Sequence, residues 1–151
     1  MTAQVNGAAF SAGFSTSATV QNSSANGPNI VQVNGVGCPE TVGGSARQIL
    51  ITVGRLTPLT PGTYQLDAAS QGQPALSGYS GIGQYVVAPN LWYSNMSDAS
   101  GAGSGSITFT TISSTRVAGT FQLVLASVAS NATAARTRVT VTSGAFDIPI
   151  P

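Results

Sequence analysis

The chain has 151 residues, with five arginines, four carboxylates, no histidine and a net charge of +1. Charged residues make up 6% of it, against about 25% in an ordinary soluble domain. Without histidine or lysine, Ser-His-Asp, Cys-His and Ser-Lys machinery and Schiff bases are excluded. A field this weak also argues against a nucleic-acid or anionic-membrane partner. The length suits one domain, 1–151, with a real core.

In chain order, "MTAQVNGAAF" has neither a basic nor a long apolar segment, so it does not read as a signal peptide. The start instead gives weak strands in "AQVNGAAFSAGF" and "SATVQN". "NIVQVNGV" puts Val31 and Val33 on one face and Gln32 and Asn34 on the other. Cys38, in "GVGCPE", is the single cysteine, which excludes an internal disulfide and is expected as a buried or half-buried thiol. "RQILITVG" reads as a buried strand with apolar groups on both parities. "LTPLTPGTY" is a Pro-rich connector into a strand carrying Tyr64 and Leu66. A further strand, "GQYVVA", follows Tyr79 and Ile82.

"APNLWYSNMSD" is the best binding candidate. Trp92 and Tyr93 are adjacent there, and exposed aromatics stack on sugar rings or fill partner pockets. Strand neighbours face opposite ways, so one ring is expected inside and one outside, with Tyr79 and Tyr85 extending the patch. "SNMSDAS" is short enough for one helical turn, and "SDASGAGSGS", residues 97 to 106, reads as a flexible Gly/Ser loop. "GSITFTTIS" and "RVAGTFQLVLAS" alternate as strands joined by a short "SST" hairpin. "ASNATAA" then makes a longer loop into the last strand.

That last strand, "RTRVTVTSGAFDIPIP", changes parity. Val139 and Val141 are apolar on odd positions, then Phe146, Ile148 and Ile150 on even ones. A one-residue slip flips every side chain, so "SGA" predicts a β-bulge, with Gly144 supplying the left-handed backbone. The bulge is expected to pass the strand to another part of the sheet, and Pro149 and Pro151 to stop further pairing.

Together these runs predict an all-β antiparallel sandwich or flattened barrel of about eight to ten short strands, largely a meander in the C-terminal half. Two carboxylates suffice for glycoside hydrolysis, which leaves a Glu40–Asp67 pair, but these read first as solvated groups or ion pairs to arginine. A Ca²⁺ site from Asp67, Asp98 or Asp147 lacks any ligand motif, so no metal and no cofactor are expected.

"VNGAAFSA", "PGTYQLD", "GSITFTTISSTRVAGTFQLVL" and "RVTVTSGAFDIPI", in that order, resemble a bacterial family of small exported β domains, often lipoproteins, known only as a domain of unknown function. The resemblance implies an all-β fold and a periplasmic, cell-surface or extracellular place. It implies no activity, and this chain lacks the family's lipid-anchor cysteine. The expected role is a non-enzymatic structural subunit that packs against other protein subunits, as a homo-oligomer or in a larger envelope complex. The alternative is a carbohydrate-binding module using Trp92 and Tyr93.

Overall fold

The computed structural model describes residues 1–22, 29–39, 42–67, 78–98, 101–127 and 138–151. Every regular element among them is a strand. They are β1 (Thr2–Val5), β2 (Ala8–Ser11), β3 (Ser15–Gln21), β4 (Asn29–Gly37), β5 (Arg47–Arg55), β6 (Gly62–Gln65), β7 (Ser80–Val87) and β8 (Asn90–Tyr93). The two-residue strands β9 (Ser97–Asp98) and β10 (Gly101–Ala102) precede β11 (Ser104–Ile112), β12 (Arg116–Ser127) and β13 (Arg138–Pro149).

Eleven strands form one antiparallel sheet, ordered β2-β1-β13-β12-β8-β7-β5-β4-β3, with β11 and β6 branching from β12. The branch arises because β12 is long. One edge pairs β13 along nearly its whole length. Its other edge is divided, with Val117–Val124 facing β11 and Ala126 and Ser127 facing β8. Two wings therefore leave β12 and curl over a shared core. One wing is β2-β1-β13-β12-β11-β6, and the other is β8-β7-β5-β4-β3.

Alternation decides which side chains enter. On β4 and β5 the odd positions Val31, Val33, Ile49, Ile51 and Val53 are at most 1% exposed. From the other wing come Ile107, Phe109, Val117, Phe121, Leu123, Leu125, Phe146 and Ile148. The wings approach closely where β7 has glycine. A Cβ on Gly83 would lie 2.6 Å from Leu123 Cδ2, and one on Gly81 2.6 Å from Leu66 Cδ2. Larger residues there would push the layers apart.

The parity change in the last strand is a bulge, with two differences from expectation. Phe121 faces Gly144 and Leu123 faces Val141, so two residues, Thr142 and Ser143, oppose Gln122. The left-handed residue is Ser143, at φ 51°, not Gly144. Gly144 serves a different need, because the Phe121 ring lies where its Cβ would be. Nor does the strand change sheets. Val139, Val141, Phe146 and Ile148 all enter the same core, and β1 pairs across the bulge from Thr2↔Ala145 to Val5↔Val141. The bulge absorbs the extra residue and keeps one face inward. Pro149 does not end the pairing either, since Ile150 N–H donates to Thr115 O at 2.8 Å.

The "SST" hairpin joins β11 to β12 at Ile112↔Val117. Residues 97 to 106, expected as a loop, instead contain the β9–β10 ladder and the start of β11. "SNMSDAS" accordingly holds β9 rather than a helical turn. The "ASNATAA" loop and Glu40 lie outside the described residues.

Candidate functional site

Three local turns converge at one end of the wings. The first joins β1 to β2 through Asn6 and Gly7, with φ of 49° and 81°. Two positive φ values in a two-residue hairpin define a type I′ turn, which Asn-Gly favours. Asn6 Oδ1 accepts from Thr140 N at 2.8 Å and Thr140 Oγ1 at 3.2 Å, fixing the turn to β13. The second joins β7 to β8 through Ala88 and Pro89, whose peptide bond is cis. This two-residue turn sets Trp92 opposite Tyr85. The third is the segment before β5, where Ser45 Oγ donates to Ala88 O at 2.9 Å.

Arg47 opens β5 on the same parity as Ile49 and Ile51, so its side chain points inward, and it is only 8% exposed. Burial of a guanidinium is costly unless its donors are met. Here Nε donates to Cys38 O at 2.8 Å, and both terminal nitrogens lie 3.4 Å from Ala9 O. Cζ also sits 5.5 Å from the Phe10 ring centroid, within cation–π range.

These groups border an open cleft of about 610 Å³, lined among others by Val5, Asn6, Arg47, Tyr85, Asn90 and Trp92. Tyr85 and Trp92 form its aromatic wall, with centroids 5.6 Å apart and planes tilted by 37°. The rim carries amides and a hydroxyl. That volume and mixture suit a small molecule with one ring face and a hydrogen-bonding edge. No carboxylate or thiol is among the lining residues.

The other expected site residues separate. Tyr93 pairs with Gln84 on the outer face, so the Trp-Tyr pair divides between the two faces. Tyr85 is in the core at 4% exposure, and Trp92 packs partly buried against it, so neither belongs to an exposed patch. Tyr79 does not join them. It stands six residues before Tyr85, about 20 Å away along an extended strand. There it meets Tyr64 edge-on at 5.1 Å, and its hydroxyl accepts from Gln65 N at 2.7 Å. Cys38 is exposed rather than buried, and its carbonyl rather than its thiol holds Arg47.

Among the described residues, no three His, Cys, Asp or Glu side chains gather as a metal site. Asp147 receives two hydrogen bonds from Arg116, at 2.7 and 2.6 Å, which hold its carboxyl below the usual carboxylate range. With Glu40 outside the described residues, the Glu40–Asp67 pair has no geometry to support it.

Arg47 and Asn6 were not singled out from sequence, although both left a signal. Arg47 shares the parity of three apolar residues, and "NG" between Val5 and Ala8 is a hairpin signature. No family model, curated protein or solved structure matches the chain.

Proposed function

We propose that this domain is a non-enzymatic structural subunit that packs against a neighbouring protein subunit through the outer face of β3, β4, β5, β7 and β8. One observation carries this reading: the outward rows of that face hold no charged residue, and Arg55, at the end of β5, borders them beside Ile30, Thr52, Gly54 and Ile82. Its outward rows run Ser15–Val36–Gln48–Val86–Leu91, then Ser17–Asn34–Leu50–Gln84–Tyr93, then Thr19–Gln32–Thr52–Ile82. The aliphatic members are half-buried, and the amides are held to the sheet by Gln48 Nε2 to Asn34 Oδ1 at 2.9 Å and Gln32 Nε2 to Thr52 Oγ1 at 3.3 Å.

With a fourth row, Gln21–Ile30–Gly54–Ser80, four outward positions on four strands plus two on β8 cover about 600 Å² at sheet spacing. Pairing with an equal area approaches the low end of stable interfaces, about 1,200 Å² in total. The occupant that fits is a protein surface equally poor in charge, because a charged partner would lose hydration over rows that offer no counter-ion, Arg55 standing only at their margin. The family resemblance supports an exported place, periplasmic or outside the cell.

The test uses the chain purified from its native cells. Wild type is expected in a complex larger than the 15.1 kDa chain, and Leu50→Lys with Ile82→Lys is expected to release a folded lone chain. A lone wild-type chain, or a complex indifferent to both lysines, overturns the reading.

The Tyr85–Trp92 wall favours a second reading, saccharide binding in the end cleft. A glycan array should then give binding that Trp92→Ala abolishes and Tyr93→Ala leaves intact, since Tyr93 lies on the other face. Equal loss in both variants, or no binding at all, refutes it.

A further inference from the structure

The strand at the end of the sheet path is β3, Ser15–Gln21, with the sequence STSATVQ. One edge pairs β4 in unbroken register from Ser15↔Val36 to Gln21↔Ile30. Its other edge pairs no strand among the described residues. Native edges are usually blunted by lysine, other charge, proline or a bulge. Within β3 there is none of these. Five of its seven residues are exposed, and only Ala18 and Val20 are half-buried.

A second, separate observation marks the same place. Phe14, immediately before β3, is 65% exposed. Its backbone is already committed to the ladder, with Phe14 N–H donating to Val36 O at 3.0 Å. A large ring is thus held open to solvent beside an edge that pairs no strand among the described residues, although β13 packs near β3.

We infer that β3 pairs antiparallel with β3 of a second copy of this chain, about a two-fold axis at Ala18. The inference rests on the reading that the chain works in an assembly, and it names one joint of that assembly. The sequence is compatible with its own reversal. About Ala18, Ser17 faces Thr19, Thr16 faces Val20 and Ser15 faces Gln21, so hydroxyls and an amide meet on the outer face. Phe14 of one copy then lies diagonally from Val20 of the other, on the face that already buries Val20. No charge approaches its own copy across the axis, a condition that an isologous contact must satisfy. Two five-stranded wings become one ten-stranded sheet, and their charge-free outward rows become continuous.

The joint is tested by disulfide trapping in a Cys38→Ser background, since Cys38 is exposed. Opposed residues of an antiparallel pair have Cα atoms about 4.5–5.5 Å apart, within the span a disulfide bridges. Ala18→Cys is expected to give a reducible homodimer under mild oxidation. Ser11→Cys, on the edge strand β2 at the other end of the path, is expected to stay monomeric. Without cysteines, Phe14→Ser and Ser17→Lys should each weaken dimerisation at least tenfold in sedimentation equilibrium while leaving the melting temperature of the monomer unchanged.

Trapping no greater than the Ser11→Cys control overturns the inference, as does cross-linking of Ala18→Cys to a different protein only. If Ala18→Cys fails while Leu50→Lys with Ile82→Lys still dissolves the native complex, edge pairing falls and the subunit reading stands. If Ala18→Cys traps the dimer while those lysines change nothing, the joint stands and the face-docking reading falls.

Discussion

Gly144→Ala probes the bulge directly. Gly144 faces Phe121 across the β12–β13 ladder, and its added Cβ would lie 2.6 Å from Cδ2, Cε2 and Cζ of that ring. Contacts of that length do not survive, so the ring or the strand must move. Phe121 is 4% exposed, and its ring lies 6.2 Å from that of Phe146, which in turn lies 6.0 Å from Phe109. Displacing one ring therefore displaces a cluster. Overpacking of this kind costs about 1–3 kcal/mol, and about 2 kcal/mol lowers the melting temperature of a domain this size by about 4–8 °C. Urea titration should show a lower midpoint with an unchanged slope. Phe121→Leu frees the space, so the double variant should recover part of the loss, with a coupling of about 0.5–3 kcal/mol. Ser143→Gly should be nearly neutral. It relieves a left-handed serine worth about 1 kcal/mol while adding glycine's entropy cost of about 0.5–1 kcal/mol. A wild-type midpoint for Gly144→Ala, strict additivity with Phe121→Leu, or a larger effect from Ser143→Gly would refute the reasoning.

Three further outcomes are expected. Arg47→Met strips donors from Cys38 O and Ala9 O and should destabilise by about 1–3 kcal/mol, measured by urea titration. Tyr79→Phe removes the hydroxyl that receives Gln65 N–H and should cost about 0.5–1.5 kcal/mol, with no change in fluorescence from Trp92. Asp147 has a folded pKa below its unfolded one, chiefly through the hydrogen bonds from Arg116. Its contribution is present above the unfolded carboxylate pKa of about 3.9 and is lost as pH falls through the folded value. Asp147→Asn should therefore narrow the difference between urea midpoints at pH 5 and pH 2.5, and an equal pH dependence in both proteins would contradict this. Because the pair is exposed, added salt should shrink the effect.

Alternation made most of the fold legible. Val31 and Val33, Tyr64 and Leu66, or Ile107 and Phe109 could each point only one way once one face was buried. The bulge could also be read, because Val141 and Phe146 differ in parity. What glycine did there could not. A sequence shows that Gly144 tolerates a left-handed backbone, but it does not show that the Phe121 ring will occupy the missing side chain. The aromatic site was legible in one part. Adjacency predicts that Trp92 and Tyr93 diverge, but joining Tyr79 to Tyr85 ignored the distance that six extended residues span. Arg47 was hidden by its type, since a charged residue on an apolar parity reads as an exception until the carbonyls that receive it are in place.

The position of β13 between β1 and β12 has a consequence for the order of folding. Apart from its hairpin partner β2, β1 pairs only β13, through Val5↔Val141 and Thr2↔Ala145. Until β13 is available, the β1–β2 hairpin has no sheet to join and β12 presents a long open edge. Contacts this distant in sequence are slow to form. A growing chain would hold the β1–β2 hairpin unsettled until β13 had been made, and a chain cut before β13 should neither close the core nor stay soluble.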